Sequence, residues 1–184
     1  MRVITGSCRG KKLKTLESLD TRPTTDMVKE AVFSIIQFDV PASSVLDLFA
    51  GSGQMGIEAL SRGASHCVFV DSNPEAVAIV KDNVDSCGFN KESRVLCMDS
   101  LEYLNVAKAG LDIVFIDPPY RMGIVEKALE LVESKLNDGA IIVCEHEKEL
   151  ELGESYGRLK LHKRYKYGKT ALTVYKIPMK EVDY

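Results

Sequence analysis

The sequence predicts an α/β fold: a mostly parallel, seven-stranded sheet ending in an antiparallel β-hairpin, with a small β-hairpin extension at the N-terminus. Three observations predict it. Five short apolar runs between residues 45 and 144 alternate with segments whose apolar residues recur at helical spacing, the pattern of a parallel sheet covered on both faces. A glycine-rich turn, Gly51-Ser52-Gly53, joins the first of these runs to its helix. At the end of the chain Arg158–Tyr167 and Thr170–Ile177 alternate as strands around a tight turn at Gly168, with no helix between them.

The elements follow in order. Arg2–Thr5 and Lys11–Thr15, separated by a glycine-punctuated turn, read as a short hairpin. Arg22-Pro23-Thr24-Thr25-Asp26 is polar and rich in helix-starting residues. Val28, Ala31, Val32, Ile35 and Ile36 then recur at helical spacing until Pro41 ends the segment. Val45–Ala50 is a strand, followed by glycines and a helix near Gln54–Ser61. Cys67–Asp71 is the next strand. Asn73 caps and Pro74 opens a helix with Val77, Val80, Val84 and Cys87 on one face, and Gly88 stops it. Arg94–Met98 is a third strand, with a helix near Leu101–Lys108, and Leu111–Asp117 is a strongly apolar fourth. The helix after Gly123 buries Val125, Ala128, Leu129, Val132 and Leu136, and Ala140–Cys144 is the fifth strand.

At 184 residues the chain predicts one domain, residues 1–184, with an N-terminal hairpin and flap over 1–24 and the sheet core over 25–184. The hydrophobic share of 45% and charged share of 28% are ordinary for a soluble globular protein. No apolar run has signal-peptide or membrane-span length, so a cytoplasmic location is the expectation. Cys8, Cys67, Cys87, Cys97 and Cys144 form no C-x-x-C pair and have no clustered histidines, so no metal site is expected. Cys67, Cys97 and Cys144 fall in strand-like runs and read as small core residues.

The net charge of −3 hides an uneven distribution. Residues 1–14 carry Arg2, Arg9, Lys11, Lys12 and Lys14 with no acid. Residues 158–176 carry Arg158, Lys160, Lys163, Arg164, Lys166, Lys169 and Lys176, again with no acid, whereas residues 15–157 hold 11 basic against 25 acidic residues. An acidic body with two basic ends presents local positive surface to phosphates, and Arg9, Lys11, Lys12, Lys163, Arg164 and Lys166 are the candidate contacts. The competing reading is that alternating lysines protect an edge strand from aggregation.

Asp47-Leu48-Phe49-Ala50-Gly51-Ser52-Gly53-Gln54-Met55-Gly56 leaves a strand and opens a helix, where glycines allow a tight turn and close backbone approach to a ligand. Gly51, Gly53 and Gly56 also satisfy G-x-G-x-x-G with Asp71 twenty residues beyond Gly51, so a dinucleotide dehydrogenase is a competing reading. Asp71, followed by Ser72, ends the second strand, where a carboxylate accepts both hydroxyls of a ribose. Asp99, followed by Ser100, ends the third, where in the layout of methyltransferases an acid reaches the adenine amino group. Either acid alone also suits a helix N-cap. Together, beside the glycine loop, they suggest an adenosine site.

Asp117-Pro118-Pro119-Tyr120 decides among these readings. Two prolines fix the backbone and remove two amide donors, leaving carbonyls as acceptors. An exocyclic base amine has its lone pair delocalised into the ring and is a poor nucleophile. If the Asp117 carboxylate and the Pro118 carbonyl each accept one of its hydrogens, the lone pair is freed to attack a sulfonium methyl, and Asp117 receives the proton. Tyr120 offers a flat face for an extruded base. A dehydrogenase has no use for this tetrapeptide.

The sequence resembles the RsmD-type methyltransferases, which methylate N2 of a guanine in small-subunit (16S) ribosomal RNA. The resemblance covers nearly the whole chain: Arg2-Val3-Ile4-Thr5-Gly6 with Arg9-Gly10; Arg22-Pro23-Thr24-Thr25-Asp26 with Glu30 and Phe33; Phe49-Ala50-Gly51-Ser52-Gly53 with Gly56; Glu58-Ala59-Leu60-Ser61-Arg62-Gly63-Ala64; and Asp117-Pro118-Pro119-Tyr120. It implies a Rossmann-like class I fold and S-adenosylmethionine as cofactor, held by Asp47, Phe49, Ala50, Gly51, Ser52, Gly53, Gly56, Asp71, Ser72, Asp99 and Ser100. It also implies a flap at Arg22–Asp26 near cofactor and target base, with Thr24 and Thr25 toward the cofactor and Arg22 toward the substrate. The implied partner is ribosomal RNA within a small-subunit assembly particle. The Thr5–Cys8 turn departs from the glycine-rich version usual in the family. Two alternatives stand beside this reading: an adenine-N6 or cytosine-N4 methyltransferase acting on DNA or other RNA, and a non-catalytic nucleic-acid-binding protein on the same fold.

Overall fold

Strand pairing gathers the alternating segments into one eight-stranded sheet in the order β3-β2-β1-β4-β5-β8-β7-β6. The computed structural model describes residues 1–16, 26–119 and 123–179. The strands are β1 (Ser44–Leu48), β2 (His66–Asp71), β3 (Ser93–Cys97), β4 (Leu111–Ile116), β5 (Leu136–Glu147), β6 (Ser155–Tyr156), β7 (Leu159–Tyr167) and β8 (Thr170–Lys176). The helices are α1 (Asp26–Ile35), α2 (Gln54–Ser61), α3 (Pro74–Cys87), α4 (Ser100–Val106) and α5 (Ile124–Val132). Strands β1 to β5 are parallel, while β8 runs antiparallel between β5 and β7.

From β1 the chain winds outward to β2 and β3, then returns to place β4 on the other side of β1. Ligands of open α/β sheets bind at such a reversal, beyond the carboxyl ends of the strands. Register brings those ends level: Leu48 lies between Val70 and Ile116, and Ile116 pairs with Cys144.

Side-chain alternation gives the sheet two apolar faces. One face packs Val45, Phe69, Ile113, Phe115, Ile141, Val143, Leu172 and Val174 against α1, α2 and α3. Phe33 of α1 meets Phe115 there at 5.7 Å between ring centroids. The other face packs Leu46, Leu48, Val114, Ile116, Ile142 and Cys144 against Leu104 of α4 and Val125, Ala128, Leu129 and Val132 of α5. Among the described residues no helix is long and apolar enough to cross a membrane.

The structure departs from the sequence reading in bounded ways. The N-terminal hairpin is one antiparallel bridge, Arg2–Lys12, supported by bonds from Val3 N to Lys11 O and Gly10 N to Val3 O. Its backbone is bound by side chains of α1 and α2 instead of by a second strand. Glu58, fully buried, accepts from Ile4 N, Thr5 N and Arg62 Nε, and its carboxylate lies 3.8 Å from buried Lys29 Nζ, which donates to Arg2 O. The eighth strand is the two-residue β6, too short to leave a periodic signal. The first helix stops at Ile35, with turns before Pro41, and α5 stops at Val132, so Leu136 opens β5 instead of closing a helix face. Cys67 and Cys144 are buried as expected, but Cys97 is exposed because it ends β3 at the sheet edge.

Candidate active site at the carboxyl edge of the sheet

The three glycines of the first loop do three jobs. A Cβ on Gly56 would lie 2.3 Å from the Phe69 ring and 2.6 Å from Cys67 Sγ, so this glycine lets α2 close onto β2. Gly53 has φ 76° and forms the N-terminal boundary of α2, with no side chain of its own to cap the first turn. Gly51 has φ 56° and, among the described residues, nothing within 4 Å of its Cβ position, so its outer side is open toward them. Phe49, with φ 70°, holds the left-handed conformation without being glycine, a strain of about 1–3 kcal/mol of the kind that collects at ligand sites. Phe49 N and Ala50 N both donate to Val70 O, and Gly51 N donates to Asp71 Oδ2 at 2.8 Å.

The acids around this loop are oriented by backbone amides. Asp71 also accepts from Asn73 N at 2.9 Å through Oδ1, which leaves each oxygen a second lone pair for a ribose hydroxyl. Asp99 caps α4, Oδ1 accepting from Leu101 N and Glu102 N. Its capping role is real, and the exposed carboxylate keeps an oxygen beyond it. Ser72 is exposed, whereas Ser100 is buried in the first turn of α4. Asp47 is buried and acts on the loop from below: Oδ2 accepts from Gly56 N at 2.9 Å. Burial outweighs that bond, and neighbouring Asp71 adds to it, pushing the Asp47 carboxyl up to about 7. Ser52 is gripped from two sides, its Oγ 3.4 Å from Met1 Sδ and its carbonyl accepting from Asn83 Nδ2, which also donates to Lys14 O. Open space over Gly51 and spare lone pairs on Asp71 fit an adenosyl ligand.

Asp117 follows the last residue of β4, and Glu145 stands beside it because Ile116 pairs with Cys144. Both side chains lie on the face that carries Asp47, and both are partly exposed. Burial, then Glu145, then Asp47 hold the Asp117 carboxyl well above the usual carboxylate range. Pro118 is buried and Pro119 exposed. Glu145 was missed in the sequence, although the signal existed: it is the first acid after an apolar run, as Asp117 is after Leu111–Ile116.

Tyr120, Arg22, Thr24 and Thr25 lie outside the described residues. The basic candidates are dispersed. The hairpin runs along α2 with Met1 and Lys14 at the loop end and the Thr5–Cys8 turn at Ser61, where Cys8 N donates to Ser61 Oγ and Ser7 N to Ser61 O. Arg9 therefore lies at the far end of α2, eight residues or about 12 Å from the glycine loop. Lys11 and Lys12 are exposed along the hairpin between these ends. In β7, Lys163 pairs with Val174 and shares the face of Asp117, whereas Arg164 and Lys166 pair with Thr173 and Ala171 on the opposite face. Arg164 donates to Leu152 O, and Arg158 is held by Glu133 at 2.7 Å and Asp138 at 3.1 Å.

Known proteins share this architecture and its sequence. Residues 1–176 match the family described as "Conserved hypothetical protein 95". The chain is 41% identical over 181 residues to "Putative rRNA methyltransferase YlbH" of Bacillus subtilis, covering 96% of this chain and 98% of the relative. It is 33% identical over 177 residues to "Ribosomal RNA small subunit methyltransferase D" of Escherichia coli K12, covering 95% and 89%. The solved structure of "Putative methyltransferase yhhF" from Escherichia coli superposes with a TM-score of 0.88 at 32% identity, over 98% of this chain and 99% of that one.

Proposed function

The chain belongs to the RsmD-type methyltransferases, the family described as "Conserved hypothetical protein 95", and from that premise we propose that it methylates the exocyclic N2 amine of a guanine in small-subunit ribosomal RNA. The observation that carries the reading is Asp117-Pro118-Pro119 at the end of β4, facing the reversal point where the glycine loop leaves β1. S-adenosylmethionine supplies an electrophilic methyl group on a positively charged sulfur.

The residues of the chain do the rest. Gly51 and Gly53 let the backbone approach the cofactor, Asp71 takes the ribose hydroxyls, and Asp99 faces the adenine edge. Asp117 and the Pro118 carbonyl each accept one N–H of the target amine. That geometry turns the nitrogen toward a pyramid and localises its lone pair for in-line attack. As the N–C bond forms and the C–S bond breaks, one amine proton passes to Asp117. The surroundings suit that step, because a carboxyl raised by burial, then by Glu145 and Asp47, is a stronger base once ionised. The relatives named for ribosomal RNA direct the choice of substrate, and an assembling small subunit is the proposed form of it. Labelled methyl transfer to small subunits lacking the modification, followed by nucleoside mapping, tests the reading. N2-methylguanosine is expected; label in N6-methyladenosine or N4-methylcytidine would reassign the target, and no transfer would leave a binding protein.

A further inference from the structure

Strand β7 changes faces halfway along. Leu159 and Leu161 belong to the core beneath α4 and α5, and strict alternation would send Lys163, Tyr165 and Tyr167 the same way. A register shift between Leu161 and Lys163 inserts His162 as an extra residue: Leu161 pairs with Tyr175, yet Lys163 pairs with the very next residue of β8, Val174. The bulge therefore swings Lys163, Tyr165 and Tyr167 onto the face that carries Asp117. Bulges collect beside functional sites because they re-aim side chains in this way.

The re-aimed residues continue the catalytic row. Asp117 lies beside Glu145, Glu145 beside Leu172, and Leu172 beside Tyr165. Tyr167 is one step nearer the carboxyl edge, paired with Thr170. Strand spacing of about 4.8 Å sets Tyr165 roughly 14 Å from Asp117, a gap that a few nucleotides of extended strand span. Both rings are partly exposed, their inner sides against the core. Lys163 Nζ sits 5.1 Å from the Tyr165 ring centroid, and the ion pairs among the described residues use other cations. On the opposite face Arg164 is fastened to the chain at Leu152, and, among the described residues, Lys166 is exposed without a ring beside it in the same row. Partly exposed rings beside an ammonium match the stacking surfaces of single-stranded RNA, whose bases and phosphates alternate.

We propose that Lys163, Tyr165 and Tyr167 receive the single-stranded RNA flanking the target guanine, the rings stacking on its bases and the ammonium meeting its phosphates. The inference rests on the reading of the site as an RNA methyltransferase and adds where the strand runs: along the carboxyl edge past β5 and β8, beyond buried Leu172, toward the outer half of β7. It is tested by comparing methyl transfer to unmodified small subunits by the wild type, the double variant Tyr165→Ala/Tyr167→Ala, and Tyr165→Phe/Tyr167→Phe. The alanine variant is expected to raise KM about tenfold or more, with kcat within about twofold and unchanged affinity for S-adenosylhomocysteine, while the phenylalanine variant restores KM because stacking needs the ring alone. Photo-crosslinking from 4-thiouridine placed near the target should mark the β7 peptide. An unchanged KM, a loss of cofactor affinity and melting temperature in step with KM, or crosslinks confined to other segments or to ribosomal proteins would overturn the platform. Absence of any transfer by the wild type would overturn the proposed function and its RNA occupant together, an outcome distinct from transfer with unchanged KM.

Discussion

The carboxyl edge of the sheet has two flanks, and its acids are held in opposite ways. Over β1 to β3, carboxylates meet backbone amides: Asp71 takes Gly51 N and Asn73 N, and Asp99 takes Leu101 N and Glu102 N. Over β4 and β5, carboxyls meet one another, Asp117 beside Glu145 with Asp47 behind. The first arrangement fixes orientation and leaves lone pairs for a ligand's neutral hydroxyls. The second makes ionisation costly and the ionised form basic, which suits a group that must take up a proton during the reaction. On the proposed reading, a single sheet edge separates holding a cofactor from moving a proton.

Removing Asp117, the proposed base, is the strongest way to break this contrast. Asp117→Ala is expected to lower kcat by about 10³-fold or more while affinity for S-adenosylhomocysteine stays within a few-fold. Single-turnover transfer and calorimetry measure the two. Because the Asp117 carboxyl is raised, wild-type turnover should climb with pH through that raised value, and Glu145→Gln should shift the climb toward lower pH.

Asp47 sharpens the contrast through stability. Its carboxyl holds a proton up to about 7, against an ordinary 3.8. The unfolded chain releases that proton first, so the stabilisation present below about pH 4 is lost as pH rises to about 7, a loss of roughly 4 kcal/mol at 1.36 kcal/mol per unit. Asp47→Asn keeps an oxygen for Gly56 N–H and has no proton to lose. Its melting temperature should therefore gain on the wild type as pH rises through that window, and parallel curves would mean that Asp47 ionises freely.

On the cofactor flank, Asp71→Ala should weaken S-adenosylhomocysteine by about 1–3 kcal/mol through unpaired ribose hydroxyls. Turnover at saturating cofactor should change little, the reverse of the Asp117 result. The smallest effect belongs to Lys163→Gln, which should lower the log–log salt slope of RNA binding by about 0.7. An equal drop for Lys166→Gln would mean that both faces of β7 meet RNA.

Much of this was legible in the residues. Apolar runs alternating with helical repeats gave the parallel order, Gly51 and Gly53 marked the loop because few other residues permit that backbone, and Asp71 marked the acceptor at the end of the next strand. Asp117-Pro118-Pro119 could be read as chemistry because a poor nucleophile requires paired acceptors. These are local requirements, written within a few positions of one another. The tertiary structure alone decided what depends on pairing between distant segments. Glu145 becomes the neighbour of Asp117 only through the β4–β5 register, and Cys97 reaches solvent because β3 lies at the sheet edge. The Thr5–Cys8 turn lands on Ser61 because Glu58 collects the amides of Ile4 and Thr5. The alternation of β7 placed Leu159, Leu161, Lys163, Tyr165 and Tyr167 on one face, and a single bulge at His162 sends the last three to the other. One unpaired residue reverses every side chain beyond it, and a period-two pattern carries no mark of where that residue falls.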